Sequence, residues 1–289
     1  MNKIDLHVHL SYNKMKKNDT FWVSNYEEMI PHSEKLGIGK SVLMSSGDAG
    51  SALNIGTNAE NMKIADADPE HYAWMCNLDG TEDADKIIER LSELKQMGAI
   101  GVGELMLNKR LDDPYFDALF KAAGELQLPV LFHMSPEEGY EYGVVDEPGL
   151  PFLERCLEKF PNTIFIGHSQ PFWIEISKDA PTSKEERNQW GKGPVLSGGR
   201  LPELFSRYKN LYADLSANSG GCAIMRDPEF GLAFLEENAD RLFFATDMVN
   251  TDMVFPLGAW LDEQVDLGTL TKETYEKICC GNAKRVFNI

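Results

Sequence analysis

Long apolar runs are missing from this chain of 289 residues, and none approaches the ~18 residues that a membrane-spanning helix needs. Low-complexity tracts and linkers are missing too, and no leader precedes the first patterned segment, so the expectation is one cytoplasmic domain covering residues 1–289. Positive charge is scarce, with 28 Lys and Arg against 46 Asp and Glu and a formal net charge of -18. Extended contact with nucleic acid or an anionic membrane needs a basic surface, so both drop out and a small-molecule substrate is the expected partner. Cysteines number five, an odd count that includes the adjacent Cys279 and Cys280, without metal-finger spacing. That fits a reducing compartment better than a disulfide scaffold. A hydrophobic share of 43% is enough for a sizeable core.

What is present begins at once. Apolar Ile4, Leu6, Val8 and Leu10 alternate with polar Asp5, His7 and His9, a period of two that predicts a strand with one apolar face. Side chains two apart on a strand share a face, so His7 and His9 can reach one point, as a metal site requires. Two hydrogen-bonded histidines in a half-buried strand would show the same pattern, and the rest of the chain has to decide. Residues 26–36 read as a helix closed by Gly37. Strands follow at 40–44, 71–77, 99–104, 129–133, 163–168, 211–215 and 242–246. Helices are expected at 53–67, 84–97, 114–126, 148–160, 201–208 and 228–238, with helical segments at 253–264 and 272–287 closing the chain. Eight such units read as an α/β protein of the (β/α)8 TIM-barrel class. A doubly wound open sheet is the runner-up, and it lacks a glycine-rich phosphate turn after the first strand. Residues 169–198 break the rhythm as a long insertion after strand six, of the kind that forms lids or binding loops.

In such a barrel the strand C-termini build the active face. His7 and His9 end strand one, Glu104 strand four, His133 strand five and His168 strand six, with Asp247 after strand eight; four of the six histidines fall at these positions. All are metal-ligand types, and several imidazoles with a carboxylate suit zinc, or iron or manganese. Asp247 is then both a ligand neighbour and a general base for the water, and His168 a group that polarises the substrate oxygen.

The residues also carry a resemblance. Ile4-Asp5-Leu6-His7-Val8-His9 resembles the opening strand of the amidohydrolase superfamily, and Phe132-His133, Gly167-His168 and Ala245-Thr246-Asp247 stand where that superfamily keeps its strand-five, strand-six and strand-eight residues. Gly281-Asn282-Ala283-Lys284-Arg285-Val286-Phe287 and Asn210-Leu211-Tyr212-Ala213-Asp214-Leu215-Ser216 are similar to the amidohydrolase-related (amidohydrolase 2) branch, which contains hydrolases and non-oxidative decarboxylases. In its decarboxylase-like members the resemblance implies one metal held by His7, His9, His133 and Asp247, with His168 catalytic and no glutamate required at strand four. Gly101-Val102-Gly103-Glu104 instead looks like the strand-four motif of TatD-like hydrolases, in which a glutamate bridges two ions. The expectation is one ion, with Glu104 as an additional ligand and two ions as the alternative.

Arg226 could clamp a substrate carboxylate, with Arg110 and Lys109 as lesser candidates, and Tyr12, Trp22, Trp173 and Trp190 could wall a pocket. His32 and His71 are expected to be structural, Asp5 a buried hydrogen-bonding residue, and Asp79 and Asp214 outer partners of the site. The leading function is metal-dependent hydrolysis of a small-molecule amide, ester or lactone. The alternative is non-oxidative decarboxylation of an unsaturated or aromatic acid, and a metal-keeping binding protein is the third reading. A TatD-like nuclease fits poorly with the negative charge, and the loop aromatics are compatible with a homodimer.

Overall fold

The computed structural model describes residues 2–16, 18, 21–48 and 55–289. Eight parallel strands follow one another in the chain: β1 (Lys3–Val8), β2 (Ile38–Leu43), β3 (Tyr72–Trp74), β4 (Val102–Leu105), β5 (Val130–Ser135), β6 (Phe165–His168), β7 (Leu211–Asp214) and β8 (Leu242–Phe243). Continuous ladders join β1 to β3 and β4 to β8. The two remaining seams are closed by backbone bonds outside these ladders. Between β3 and β4, Ile100 N–H donates to the Trp74 carbonyl at 3.0 Å and Gly103 N–H to that of Cys76 at 2.7 Å. Between β8 and β1, Leu6 N–H reaches the Phe244 carbonyl and His9 N–H that of Met248, both at 3.0 Å. The sheet therefore closes on itself as the expected (β/α)8 barrel.

Helices cover the outside for local reasons. Asn25, Thr57, Asp113 and Asp227 each offer a side-chain oxygen to an amide of the first turn of the helix that follows, Tyr26–Lys35, Asn58–Ala67, Pro114–Glu125 and Pro228–Glu237. The Thr57 cap sets the start of the second helix later than residue 53, which lies outside the described residues. Ile87, Leu91 and Leu94 bury one stripe of Ile87–Gln96 against the sheet. The helical close of the chain is three pieces, Lys272–Glu276, a wider π turn Lys277–Gly281 and Asn282–Phe287. Among the described residues no helix is long and apolar enough to cross a membrane.

Two features differ from the sequence reading. The apolar residues of β1 do not share a face: Ile4 and Leu6 pack inside the barrel with Val42, Met75, Leu131 and Ile166, whereas Val8 and Leu10 pack outside it under the helices. The pairing of β1 with β2 slips between Asp5 and Val8, three steps on one strand against two on the other. That extra residue is a bulge, and it turns His7 and His9 toward the barrel mouth. Residues 169–198 are also folded rather than a bare loop. They contain short helices Gln170–Trp173 and Lys184–Arg187 and a 3-10 turn, Ile174–Ile176. The buried Arg187 guanidinium donates to the carbonyls of Pro136 (3.2 Å) and Asp146 (2.9 Å), which ties this stretch to the loops after β5.

Candidate metal centre

His7, His9, Glu104, His133, His168 and Asp247 converge at the C-terminal mouth of the barrel. His7 and His9 put their Nε2 atoms 3.1 Å apart. His9 Nε2 lies 3.2 Å from Glu104 Oε2 and 3.4 Å from Asp247 Oδ1, and His7 Nε2 lies 3.6 and 3.5 Å from the same two oxygens. Donor atoms ~2.1 Å from a tetrahedral ion stand ~3.4 Å apart, so these five separations match the edges of a coordination polyhedron. The second carboxylate oxygen, Glu104 Oε1, faces other donors: His133 Nδ1 at 2.8 Å and His168 Nε2 at 3.7 Å. Glu104 thus stands between two donor sets, and it is almost completely buried.

The tautomers suit metal binding. Asp214, on β7, is fully buried and takes both the His7 Nδ1–H (2.8 Å) and the His168 Nδ1–H (3.0 Å). With the Nδ1 protons held by Asp214, each ring in its neutral form presents its Nε2 lone pair to the mouth. Ser216 supports this arrangement by donating its hydroxyl to Asp214 Oδ1 at 2.8 Å. Burial opposes ionisation of Asp214, but the His168 charge and the bonds from both rings hold its pKa below the ordinary carboxylate value. Burial likewise opposes ionisation of Glu104, and the His7 charge with bonds from His133, His7 and His9 holds it well below. Conversely, burial works against charging His7, but the Asp247 and Glu104 carboxylates outweigh it and raise its pKa well above the usual. A carboxylate field that draws protons onto buried imidazoles attracts a divalent cation equally, and the donor set fits one.

Asp247 takes a left-handed backbone conformation (φ 59°), locked by its N–H bond to the His7 carbonyl at 2.7 Å. Its side chain is 27% exposed against 3% for Glu104, so it is the site carboxylate that faces the opening. That opening is a cavity of about 440 Å³ floored by His9, Glu104 and Asp247, with Phe21, Trp22, Tyr142 and Met253 among its walls. A larger hollow of about 730 Å³, lined by Pro129, Arg285 and Phe287, lies at the other end of the barrel and contains none of the convergent side chains. The chemistry, rather than the volume, marks the site.

Of the side chains expected to meet a substrate, Trp22 is in the cavity wall. Trp173 is not, being 1% exposed and packed edge-on against Phe172 and Phe234, with its Nε1–H on the Asp214 carbonyl at 3.1 Å. Aromatic residues in the 169–198 stretch fill core as readily as they line a pocket, and Trp173 does the former. Arg226 is no carboxylate clamp for this cavity either. It caps the helix Ala217–Met225, which the sequence reading missed, and donates to the Lys192 carbonyl at 3.1 Å. Glycines 220 and 221 hide that helix from propensity; Gly220 is there because a Cβ would sit 2.6 Å from the Leu215 backbone. Arg110 is occupied by Asp112 and Glu147. His71 pairs with Asp68, His32 bonds the Met253 carbonyl, and Asp5 accepts from His7 N–H and from Thr246, all structural tasks.

The sequence reading also overlooked Tyr142 and Asn77. Asn77 donates to the Glu104 carbonyl and, at 3.1 Å, to that of Ser45, which fixes the backbone under the Glu104 carboxylate. Tyr142 lies with its ring 4.4 Å from that of His133. Its signal was an aromatic residue flanked by glycines 139 and 143 just after strand five.

Comparison with known proteins agrees with the barrel. A putative amidohydrolase from Staphylococcus aureus superposes with a TM-score of 0.63 at 18% identity, covering 100% of both chains. An amidohydrolase from Burkholderia multivorans with bound zinc gives 0.60 at 15%, again over 100% of both. The 2,6-dihydroxybenzoate decarboxylase from Rhizobium gives 0.63 at 15%, over 100% of this chain and 99% of that one. Among curated proteins none matches the sequence. The family model described as amidohydrolase matches residues 4–289 and so takes in every strand that carries a candidate ligand, and the chain belongs to the amidohydrolase family.

Proposed function

We propose that the protein is a metal-dependent hydrolase of a small molecule, cleaving an ester, lactone or amide bond. The observation that carries this reading is the spacing of the four donors around His7 and His9, which suits an ion and little else. Glu104, with one oxygen toward each donor set, favours two ions over one: His7, His9 and Asp247 on one side, His133 and His168 on the other, with His168 Nε2 also 3.8 Å from Asp247 Oδ2. Zinc is the ion this nitrogen-rich set suits best, with manganese or iron as substitutes. When bound, such an ion supplies water whose pKa falls from 15.7 toward roughly 7.

The residues divide the remaining work. Asp247, facing the cavity, takes the proton from the attacking water and returns it to the leaving group. His168, fixed by Asp214, orients toward the same space, and the aromatic walls exclude bulk water from the substrate. Para-nitrophenyl acetate, para-nitroacetanilide and dihydrocoumarin, assayed before and after chelation and after zinc is restored, test the reading. Turnover that chelation abolishes and zinc restores, and that Asp247→Asn removes, is expected. Full turnover by metal-free protein would overturn it, and release of carbon dioxide from an unsaturated or aromatic acid, with no hydrolysis, would replace it with decarboxylation.

A further inference from the structure

Tyr142 lines the cavity whose floor is Glu104 and Asp247, and the charges of both carboxylates reach its phenol. It is half-buried, and among the described residues its hydroxyl has no hydrogen-bond partner. A phenol donor at a cavity wall with no protein partner is open to an acceptor bound in that cavity. Its placement is built by the backbone. Gly143 adopts φ +109°, and a Cβ there would stand 2.7 Å from the His133 carbonyl oxygen, so only glycine lets the chain press this closely on β5. Gly143 N–H donates to the Met106 carbonyl at 2.9 Å, and the Asn108 amide donates to the Gly143 carbonyl at 3.1 Å. Val144 and Val145 then pair with Met134 and Ser135 of β5. The ring is held by neighbours that do not depend on its hydroxyl, which is how a preorganised donor is presented.

We propose that Tyr142 is a catalytic residue whose hydroxyl donates to the carbonyl oxygen of an uncharged ester, lactone or amide. The inference rests on the hydrolytic reading above. As the water oxygen bonds to the carbonyl carbon, the π pair moves onto the carbonyl oxygen, which accepts more strongly from Tyr142, while Asp247 takes the water proton. On collapse that pair re-forms the carbonyl, the bond to the leaving group breaks, and the leaving group takes the proton from Asp247. The donor therefore matters more in the transition state than in the bound substrate.

Tyr142→Phe keeps the ring against His133 and removes the donor alone. On whichever of para-nitrophenyl acetate, para-nitroacetanilide or dihydrocoumarin the wild type turns over, kcat is expected to fall about 10²-fold, with KM, zinc content and melting temperature unchanged. Calorimetry with phenyl methylphosphonate, a tetrahedral mimic, should show binding weakened by about tenfold or more. A variant matching the wild type in both kcat and phosphonate affinity overturns the assignment and leaves hydrolysis standing. Loss of zinc from the variant would trace the effect to the ring's seat on His133 and overturn it too. A wild type that neither hydrolyses any of the three compounds nor binds the phosphonate sinks the hydrolytic reading itself.

Discussion

Asp214→Asn separates the roles of charge and shape beneath the site. In the wild type one carboxylate accepts from two imidazoles, His7 at 2.8 Å and His168 at 3.0 Å. Asparagine offers one oxygen acceptor and one amide donor, so one ring must turn its Nδ1 lone pair toward the amide and carry its proton on Nε2 instead. That ring is then lost as a ligand in its favoured state. His168 has a substitute acceptor, the Ser216 hydroxyl 2.8 Å from its Nδ1, whereas among the described contacts His7 Nδ1 has Asp214 alone. His7 is therefore the ring expected to suffer. Outer partners of this kind are worth about 10- to 100-fold in metal affinity, or about 1.4 to 2.8 kcal/mol. Competition with a chromogenic chelator measures it, with circular dichroism to check the fold. A folded Asp214→Asn protein that binds zinc within about twofold of the wild type would refute the argument that Asp214 sets the tautomers.

Further outcomes follow from other parts of the barrel. Glu104→Gln removes the shared charge and should lower zinc stoichiometry from two ions to one by elemental analysis; an unchanged stoichiometry would remove the bridging role. Gly143→Ala must strain a φ of +109° and push its Cβ against the His133 carbonyl, so it should lower stability by about 1–3 kcal/mol in urea titration. Burial pushes the carboxyl of Asp146 from 3.8 up to about 7, against the amides of Leu153, Phe152 and Glu147 that it accepts from. A raised folded-state pKa means the fold favours the protonated acid, so this stabilisation is complete below pH 3.8 and is lost as pH rises through about 7. The loss amounts to about 4 kcal/mol at most. Subtracting the urea stabilities of Asp146→Asn from those of the wild type across that window should expose it, and a flat difference would dismiss it.

The barrel and the convergence of metal-ligand residue types at its mouth were legible because period-two strands and the residue types at their ends are local signals. His133 and His168 could be placed at strand C-termini without knowing any tertiary contact. The bulge in β1 was not legible, since an alternating Ile4, Leu6, Val8 and Leu10 reads the same whether the strand is regular or slips by one residue. Trp173 and Arg226 misled for a related reason: an aromatic or a cation in a long connection gives no hint of whether it turns inward to pack or outward to a ligand. Helix Ala217–Met225 was hidden by glycines whose justification is a close approach to Leu215, a contact between elements that no window of sequence contains. Asp214 was expected beside the site from its place near strand seven, but that its one carboxylate serves two imidazoles was not legible, since they lie 207 and 46 residues away.

Crystals of the zinc-loaded protein, with data collected on both sides of the zinc absorption edge, test the central claim most directly. The account predicts anomalous peaks on either side of the Glu104 carboxylate, one among His7, His9 and Asp247 and one against His133 and His168. Zinc found only elsewhere on the protein, with these six side chains free of it, would contradict the account.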